Sequence, residues 1–236
     1  MGFEPRVLLA LLSVLPVMGQ ETGERVTKDS LLVSKKEHPS ISELRAKASG
    51  GDAESQYNLA GHYGLGQLLP QDFIEVARWA RKAAIQGHAG GQHLLGVCYG
   101  LGKGVPLNQP EAVKWFKKSA NQGNVLAQYN LGVCYAEGKG VRQDYLEALR
   151  WSRMAADKGN PEAQFLVAAC YGLGHGVPEN FEEAYVWASL AAAQGHNNGI
   201  KFHELIQTKL APEAIERAQA RAEKLKAEIL LRNNRL

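Results

Sequence analysis

Several features that would announce a specific chemistry are scarce or missing in this chain of 236 residues. There is no excess of charge of one sign: Lys and Arg number 27, Asp and Glu 24, and the formal charge is +3, so nothing marks a nucleic-acid track. The longest apolar run, residues 7–17, is too short to span a bilayer. No segment alternates apolar and polar residues with the period of a strand. Neither Ser-x-x-Lys nor His-Glu-x-x-His occurs, which removes a serine acylase and a zincin at the level of sequence. Cysteine is limited to three residues, too few for the disulfide framework of a small exported domain.

What is abundant is repetition. Tyr63, Tyr99, Tyr135 and Tyr171 fall 36 residues apart, as do Trp79, Trp115, Trp151 and Trp187. Gln56, Gln92, Gln128 and Gln164 form a third column, and Gly51, Gly87, Gly123, Gly159 and Gly195 open successive units. A fixed period of this length is the signature of solenoids, propellers and arrays.

Within a unit the spacing is helical. Gln128, Leu131, Gly132 and Tyr135 fall at i, i+3, i+4 and i+7, one face of a first helix. A glycine-rich turn, Gly138-Lys139-Gly140-Val141, leads to Asp144 with Glu147 three residues later, the arrangement of a capping box. Asp72 with Glu75, Asn108 with Glu111 and Asn180 with Glu183 repeat it, so a second helix is expected in all four units. Its stripe of Ala148, Trp151, Ala155 and Ala156 ends at Gly159, where a left-handed residue would stop it.

The run A-Q-Y-N-L-G-V-C-Y-A-E-G-K-G-V-R-Q-D-Y-L-E-A-L-R-W of the third unit resembles the Sel-one-like repeat family, relatives of the tetratricopeptide repeats. The resemblance covers residues 51–195, as repeats 51–86, 87–122, 123–158 and 159–194. It implies an all-α, right-handed α-solenoid of helix-turn-helix units that acts by holding other proteins. The first copy departs from the pattern, with Gln67-Leu68-Leu69-Pro70 where later copies have a second turn glycine.

The ends differ from the middle. Residues 40–50 read as a partial capping helix behind Ser40 and Glu43. Residues 196–231 read as one further first-type helix and then a capping helix, with residues 232–236 as a tail. The capping helix carries the stripe Ile215, Ala218, Ala222, Leu225 and Ile229, with Glu216, Arg217, Arg221, Glu223, Lys224 and Lys226 turned outward. A dimer seam along the same stripe is the alternative to a monomer. At the other end, Arg6, the apolar run and Val17-Met18-Gly19 have the form of a secretory signal peptide over residues 1–19, with a polar, patternless leader over residues 20–39. A periplasmic or secreted protein with no membrane span in its mature chain is expected.

Cys98, Cys134 and Cys170 share a column with His62, which is the ligand count of a Cys₃His zinc site. Equivalent positions of stacked helices lie ~8–10 Å apart, whereas ligands sharing one zinc approach to roughly 4 Å. Three unpaired, buried thiols and no metal or other cofactor are therefore expected. A cysteine-rich branch of the family, to which penicillin-binding or β-lactamase activity has been attributed, pairs cysteines within each repeat, and this chain has one in each of three repeats and none in the first. Gly100-Leu101-Gly102-Lys103-Gly104 lacks the preceding strand of a phosphate cradle and reads as an interhelical turn. His88 and His196 stand where Asn124 and Asn160 stand, next to helix starts.

What remains for function is surface. The first-helix positions that alternate with the packed columns are Glu54, Tyr57 and Gly61, then Gly90, His93 and Val97, then Leu126, Tyr129 and Val133, then Glu162, Phe165 and Ala169. Tyr57, His93, Tyr129 and Phe165 form an aromatic column, read either as anchors for a partner or as packing between repeats. Basic residues such as Arg78, Arg81, Lys82, Lys114, Lys117 and Lys118 fall on the second helices and read as solvated charge. The reading is a non-enzymatic scaffold that binds a protein or peptide in a concave groove. The alternatives are a cell-envelope enzyme acting on peptidoglycan or a β-lactam, and a structural or regulatory subunit that docks by its outer helices.

Overall fold

A computed structural model describes residues 40–66 and 68–233. The expected signal peptide and leader, Gln67 and the last three residues of the tail lie outside the described residues. Among the described residues there are helices and turns and no strand. The helices are α1 (Ile41–Ser49), α2 (Ala53–Leu65), α3 (Phe73–Ile85), α4 (Ala89–Leu101), α5 (Gln109–Asn121), α6 (Val125–Glu137), α7 (Tyr145–Ala156), α8 (Pro161–Leu173), α9 (Phe181–Ala193), α10 (Asn197–Gln207) and α11 (Pro212–Asn233). The chain is an all-α repeat solenoid whose helical hairpins recur at the 36-residue spacing. It forms two compact units that divide between Ser119 and Ala120, inside α5.

Each first helix starts on an acceptor side chain. Asp52, Asn124 and Asn160 accept from the backbone N–H three residues on, at 2.7–2.9 Å. His88 and His196 do the same with Nδ1, at 3.0 and 2.9 Å. The two histidines are caps, as their columns implied.

The second helices correct the capping-box expectation. Asp72, Asn108, Asp144 and Asn180 each accept from the N–H of the glutamate three residues later. The glutamates do not reach back, because the cap N–H groups are already taken by the carbonyls of Tyr63, Tyr99, Tyr135 and Tyr171 at 2.9–3.2 Å. The carboxylates are thereby freed for the tryptophans: Glu75 and Glu147 accept the indole N–H of Trp79 and Trp151, each at 3.0 Å. Among the described residues the full reciprocal box is formed by Ser40 and Glu43, at the start of α1. In these two repeats the glutamate thus ties the tryptophan to the start of its own helix.

In unit 1, α1 packs on α2, α2 on α3 and α3 on α4. Its core joins Leu44, Leu59, Trp79, Leu95 and Trp115, with Tyr63 and Tyr99 partly buried at its edge. Close approach rather than chain freedom explains Gly104. A Cβ there would stand 1.8 Å from the Phe73 carbonyl oxygen, at φ +73°. The turn before α5 rests directly on the first residue of α3. The first repeat has no glycine at the equivalent position. Leu68 fills that place, 62% exposed.

In unit 2, α6 packs on α7, α7 on α8, α8 on α9, and α9 on both α10 and α11. Trp151, Phe165, Trp187 and Phe202 are buried, and Tyr135 and Tyr171 are half-buried. Gly176 repeats the close approach, against the backbone of Tyr145 and Leu146. α11 seats Ala214, Ala218, Ala222 and Ile229 as buried residues, while Ile215 and Leu225 are half-buried. Arg217 and Arg221 face outward as expected, 61% and 52% exposed. They also pair with Glu182, at 2.5 Å, and Glu183 of α9, because Val186 occupies the place of the basic residues Arg78, Lys114 and Arg150 and leaves Glu183 without a partner on its own helix.

Candidate functional site

The expected groove residues are best examined unit by unit. In unit 1, Glu54 and Tyr57 lie on α2, and His93 and Val97 on α4. The His88 cap fixes the geometry. Since Nδ1 accepts from Gly91, Nε2 carries the proton, and it donates to Glu54 Oε2 at 2.9 Å. The Tyr57 ring lies 4.9 Å from the His88 ring. It also covers Gly90, where a Cβ would come within 2.9 Å of Tyr57 Cζ. Position 90 is equivalent to Glu54, Leu126 and Glu162, so the missing side chain there opens the space that the ring fills. Burial and then the neighbouring Glu54 charge push the Tyr57 hydroxyl above its ordinary range.

Glu54 keeps 58% of its side chain exposed beside this half-buried ring. His93 is half-buried against Phe116, ring centroids 5.9 Å apart, and burial pushes its imidazole down to about 4. Val97 is half-buried. Unit 1 therefore presents an anchored, partly exposed aromatic with an ordered carboxylate and imidazole next to it.

Unit 2 treats the same columns differently. Phe165 is 1% exposed, packed edge-on against Phe202 at 5.9 Å and tilted against His196 at 5.1 Å. Val133 is 2% exposed and Tyr129 8%. Burial, followed by the charges of Glu162 and Glu137, raises the Tyr129 hydroxyl. Leu126 is 41% exposed, and Glu162 is half-buried, accepting from Asn160 Nδ2 at 3.0 Å. The aromatic column is thus not one uniform surface: it is accessible at Tyr57 and is packing at Phe165. At Phe165 the helix α10 makes the difference, supplying Phe202 one residue later than the column predicts, where Lys201 aligns with Phe165.

Sequence reasoning placed Gly90 on the inner wall but omitted His88 from the site. The signal for His88 was a capping histidine at the place of Asp52 and Asn124.

Cys98, Cys134 and Cys170 are buried and unbridged. Burial raises their thiols, to about 11 at Cys98 and about 12 at the other two. Such thiols are poor nucleophiles near neutral pH. Among the described residues no three His, Cys, Asp or Glu side chains form a metal-holding group, and no helix is long and apolar enough to cross a membrane.

The Sel1 repeat profile matches residues 53–88, 89–124, 125–160 and 161–196, each window beginning at the first residue of α2, α4, α6 or α8. No curated protein matches the chain. Among solved structures, it resembles a protective antigen of uropathogenic Escherichia coli strains that displays an SLR fold, at 26% identity and a TM-score of 0.76 over 97% of this chain and 48% of that one. The chain thus spans about half the length of that relative. A Sel1 repeat protein from Oxalobacter formigenes is 30% identical, with a TM-score of 0.66 over 76% of this chain and 74% of that one. Sel1 repeats mediate protein–protein interaction and their scaffolds are generally non-catalytic. With four consecutive repeats matched across most of its described length, this chain belongs to the Sel1 repeat family.

Proposed function

We propose that the chain is an exported, non-enzymatic scaffold that holds a protein or peptide partner against the first helices of its repeats. The observation that carries this reading is the cluster of Tyr57, Glu54, His88 and Gly90 in unit 1. An aromatic ring already ordered by its neighbours loses little freedom on binding, and a fixed carboxylate beside it gives direction to a polar contact. The family's role in protein interaction supports it. The buried, protonated thiols support a scaffold over a covalent catalyst. Export rests on the apolar run and small residues of positions 1–19 and places the mature protein in a periplasm or outside the cell.

The test is crosslinking enrichment from native envelope extract, run with the wild type beside a Tyr57→Ser variant of unchanged melting temperature. A partner retained by the wild type and lost by the variant supports the α2 and α4 face as the site. The same partner retained by both moves binding to another surface. N-terminal sequencing of the mature protein checks export, with Gln20 as the expected first residue.

A further inference from the structure

Two helices carry exposed stripes of opposite charge. In unit 1 the outward side of α3 presents Ile74, Arg78, Arg81 and Ile85 as exposed residues with Lys82 half-buried among them, positions three or four residues apart that share one side of a helix. Ile74 and Ile85 are 68% and 71% exposed. The cations between them are held in place. Arg78 and Lys82 lie 4.7 and 4.3 Å from the Trp79 ring, and Arg81 donates to the Tyr99 hydroxyl at 2.6 Å. The only carboxylate among them, Glu75, is occupied by Arg78 and the Trp79 indole.

In unit 2, α11 turns a second stripe to solvent opposite its buried one. Glu213, Glu216, Ala220, Glu223, Ala227 and Leu230 alternate at spacings of three and four, and all are exposed. None of the three carboxylates has an ion pair among the described residues, whereas the flanking Arg217 and Arg221 are engaged with α9. Lys224 and Lys226 lie to the sides of the stripe.

The seating of α11 on α9 shows what covers an outer helix face in this fold. Where it is covered, Val186 and Leu190 replace Arg78 and Lys82 and are 1% and 5% exposed, and the incoming helix supplies charges opposite to those of its seat. The α3 seat is basic, so the matching helix is small-sided and acidic. The free stripe of α11 has that composition. Its Leu230 follows Glu223 by seven residues, as Ile85 follows Arg78, which spans about 10.5 Å along either helix.

We infer that the chain associates with itself, the exposed glutamate stripe of α11 in one copy lying on the basic stripe of α3 in the next. The two surfaces differ, so the contact is heterologous, and repetition of it builds rings or open chains of copies. Its charges lie at the surface, so the association is weak and screened by salt.

Sedimentation velocity of the purified chain over a concentration series tests this. The average mass rises with concentration at low salt and falls back at high salt. Glu216→Lys with Glu223→Lys, which breaks no internal contact, weakens association at least about tenfold, equivalent to about 1.4 kcal/mol. Arg78→Glu with Lys82→Glu does the same with its melt checked, and an equimolar mixture of the two double variants restores association, since each then offers the other a complementary stripe. A wild type that stays monomeric at every concentration overturns the inference. So does a mixture that fails to associate, and so do crosslinks joining α11 to α11, which assign the contact to a two-fold seam.

Discussion

Gln194 donates its side-chain amide to Oε1 of Gln164 across 2.8 Å, and Gln164 in turn donates to the Ala156 carbonyl at 3.3 Å. Ala156 is the last residue of α7, where helical carbonyls have no partner of their own. The buried glutamine thus closes the end of the preceding second helix. Unit 1 repeats the chain of bonds through Gln86, Gln56 and Ala48 at 2.8 and 3.0 Å. In the third repeat the place of Gln86 and Gln194 is held by Lys158, which donates to the Gly123 carbonyl at 2.7 Å. Gln128 still donates to Ala120, but its Oε1 is buried with no donor among the described residues.

Lys158→Gln is therefore expected to stabilise the chain. It supplies the missing donor to a fully buried oxygen and removes one partly exposed bond, for a net gain of about 1 kcal/mol. For a chain of this size that is a rise in Tm of about 2–4 °C. Gln194→Ala does the reverse, leaving Gln164 Oε1 buried and unpaired at a cost of about 1–3 kcal/mol. Thermal melts of the two variants check the pair. A lower Tm for Lys158→Gln would mean that the bond to Gly123 outweighs the orphaned oxygen.

Two glycines with similar backbone angles should respond very differently to alanine. Gly104 and Gly195 both have φ near +75°, at +73° and +77°. At Gly195 a Cβ meets nothing within 4 Å, so Gly195→Ala costs only the left-handed backbone penalty of about 1–2 kcal/mol. At Gly104 the Cβ would overlap the Phe73 carbonyl, and backbone has to move. Gly104→Ala is expected to lose at least about 2 kcal/mol more than Gly195→Ala in urea denaturation. Equal losses would show that the turn before α5 does not rest on α3.

The tryptophans share a column but not a hydrogen bond. The Trp151 indole donates to Glu147, whereas the buried Trp115 indole has no acceptor among the described residues. Trp151→Phe gives up that bond and should cost about 1 kcal/mol more than Trp115→Phe, charge-assisted bonds lying in the upper part of the usual range. Either Trp→Ala truncation removes a buried ring and costs about 3–5 kcal/mol. Equal costs for the two Phe variants would show that the Glu147 contact contributes nothing to stability.

The period, the helix starts and the turn glycines were legible in the sequence because each depends on local chemistry: a capping side chain, a left-handed residue, a spacing. The glutamine and tryptophan columns were visible too, but their partners were not. The acceptor of Gln164 is a carbonyl eight residues earlier on another helix, and the acceptor of Trp151 is the glutamate that local rules assign to a capping box. The tyrosine carbonyls that displace those glutamates carry no sequence signal, since any residue has one. At the candidate site, the exposure of Tyr57 and the burial of Phe165 could not be separated from their column alone. The distinction is made by Gly90 beside one and Phe202 beside the other.

Stability should fall at both ends of the pH scale for identifiable reasons. His93 is held neutral by burial, its pKa lowered from 6.5 to about 4, so its contribution is complete above pH 6.5 and is lost as pH falls through 4. His175 and His203, also lowered by burial, act in the same direction. The cysteines give the opposite limb. Their folded pKa values of about 11 to 12 lie above the unfolded value of 9.0, so their contribution is complete below pH 9 and is lost as pH rises through 11 and 12. Urea midpoints measured across pH should form a plateau between about 6.5 and 9, with an acid limb made shallower by His93→Gln and an alkaline limb made shallower by Cys134→Ala after correction for its own packing loss. The same burial makes the native thiols slow to react: a maleimide at pH 7 should modify them only as fast as the chain opens, and should label at once in urea. Rapid labelling of the native chain would place the cysteine column at the surface, and would remove the thiol account of the alkaline limb with it.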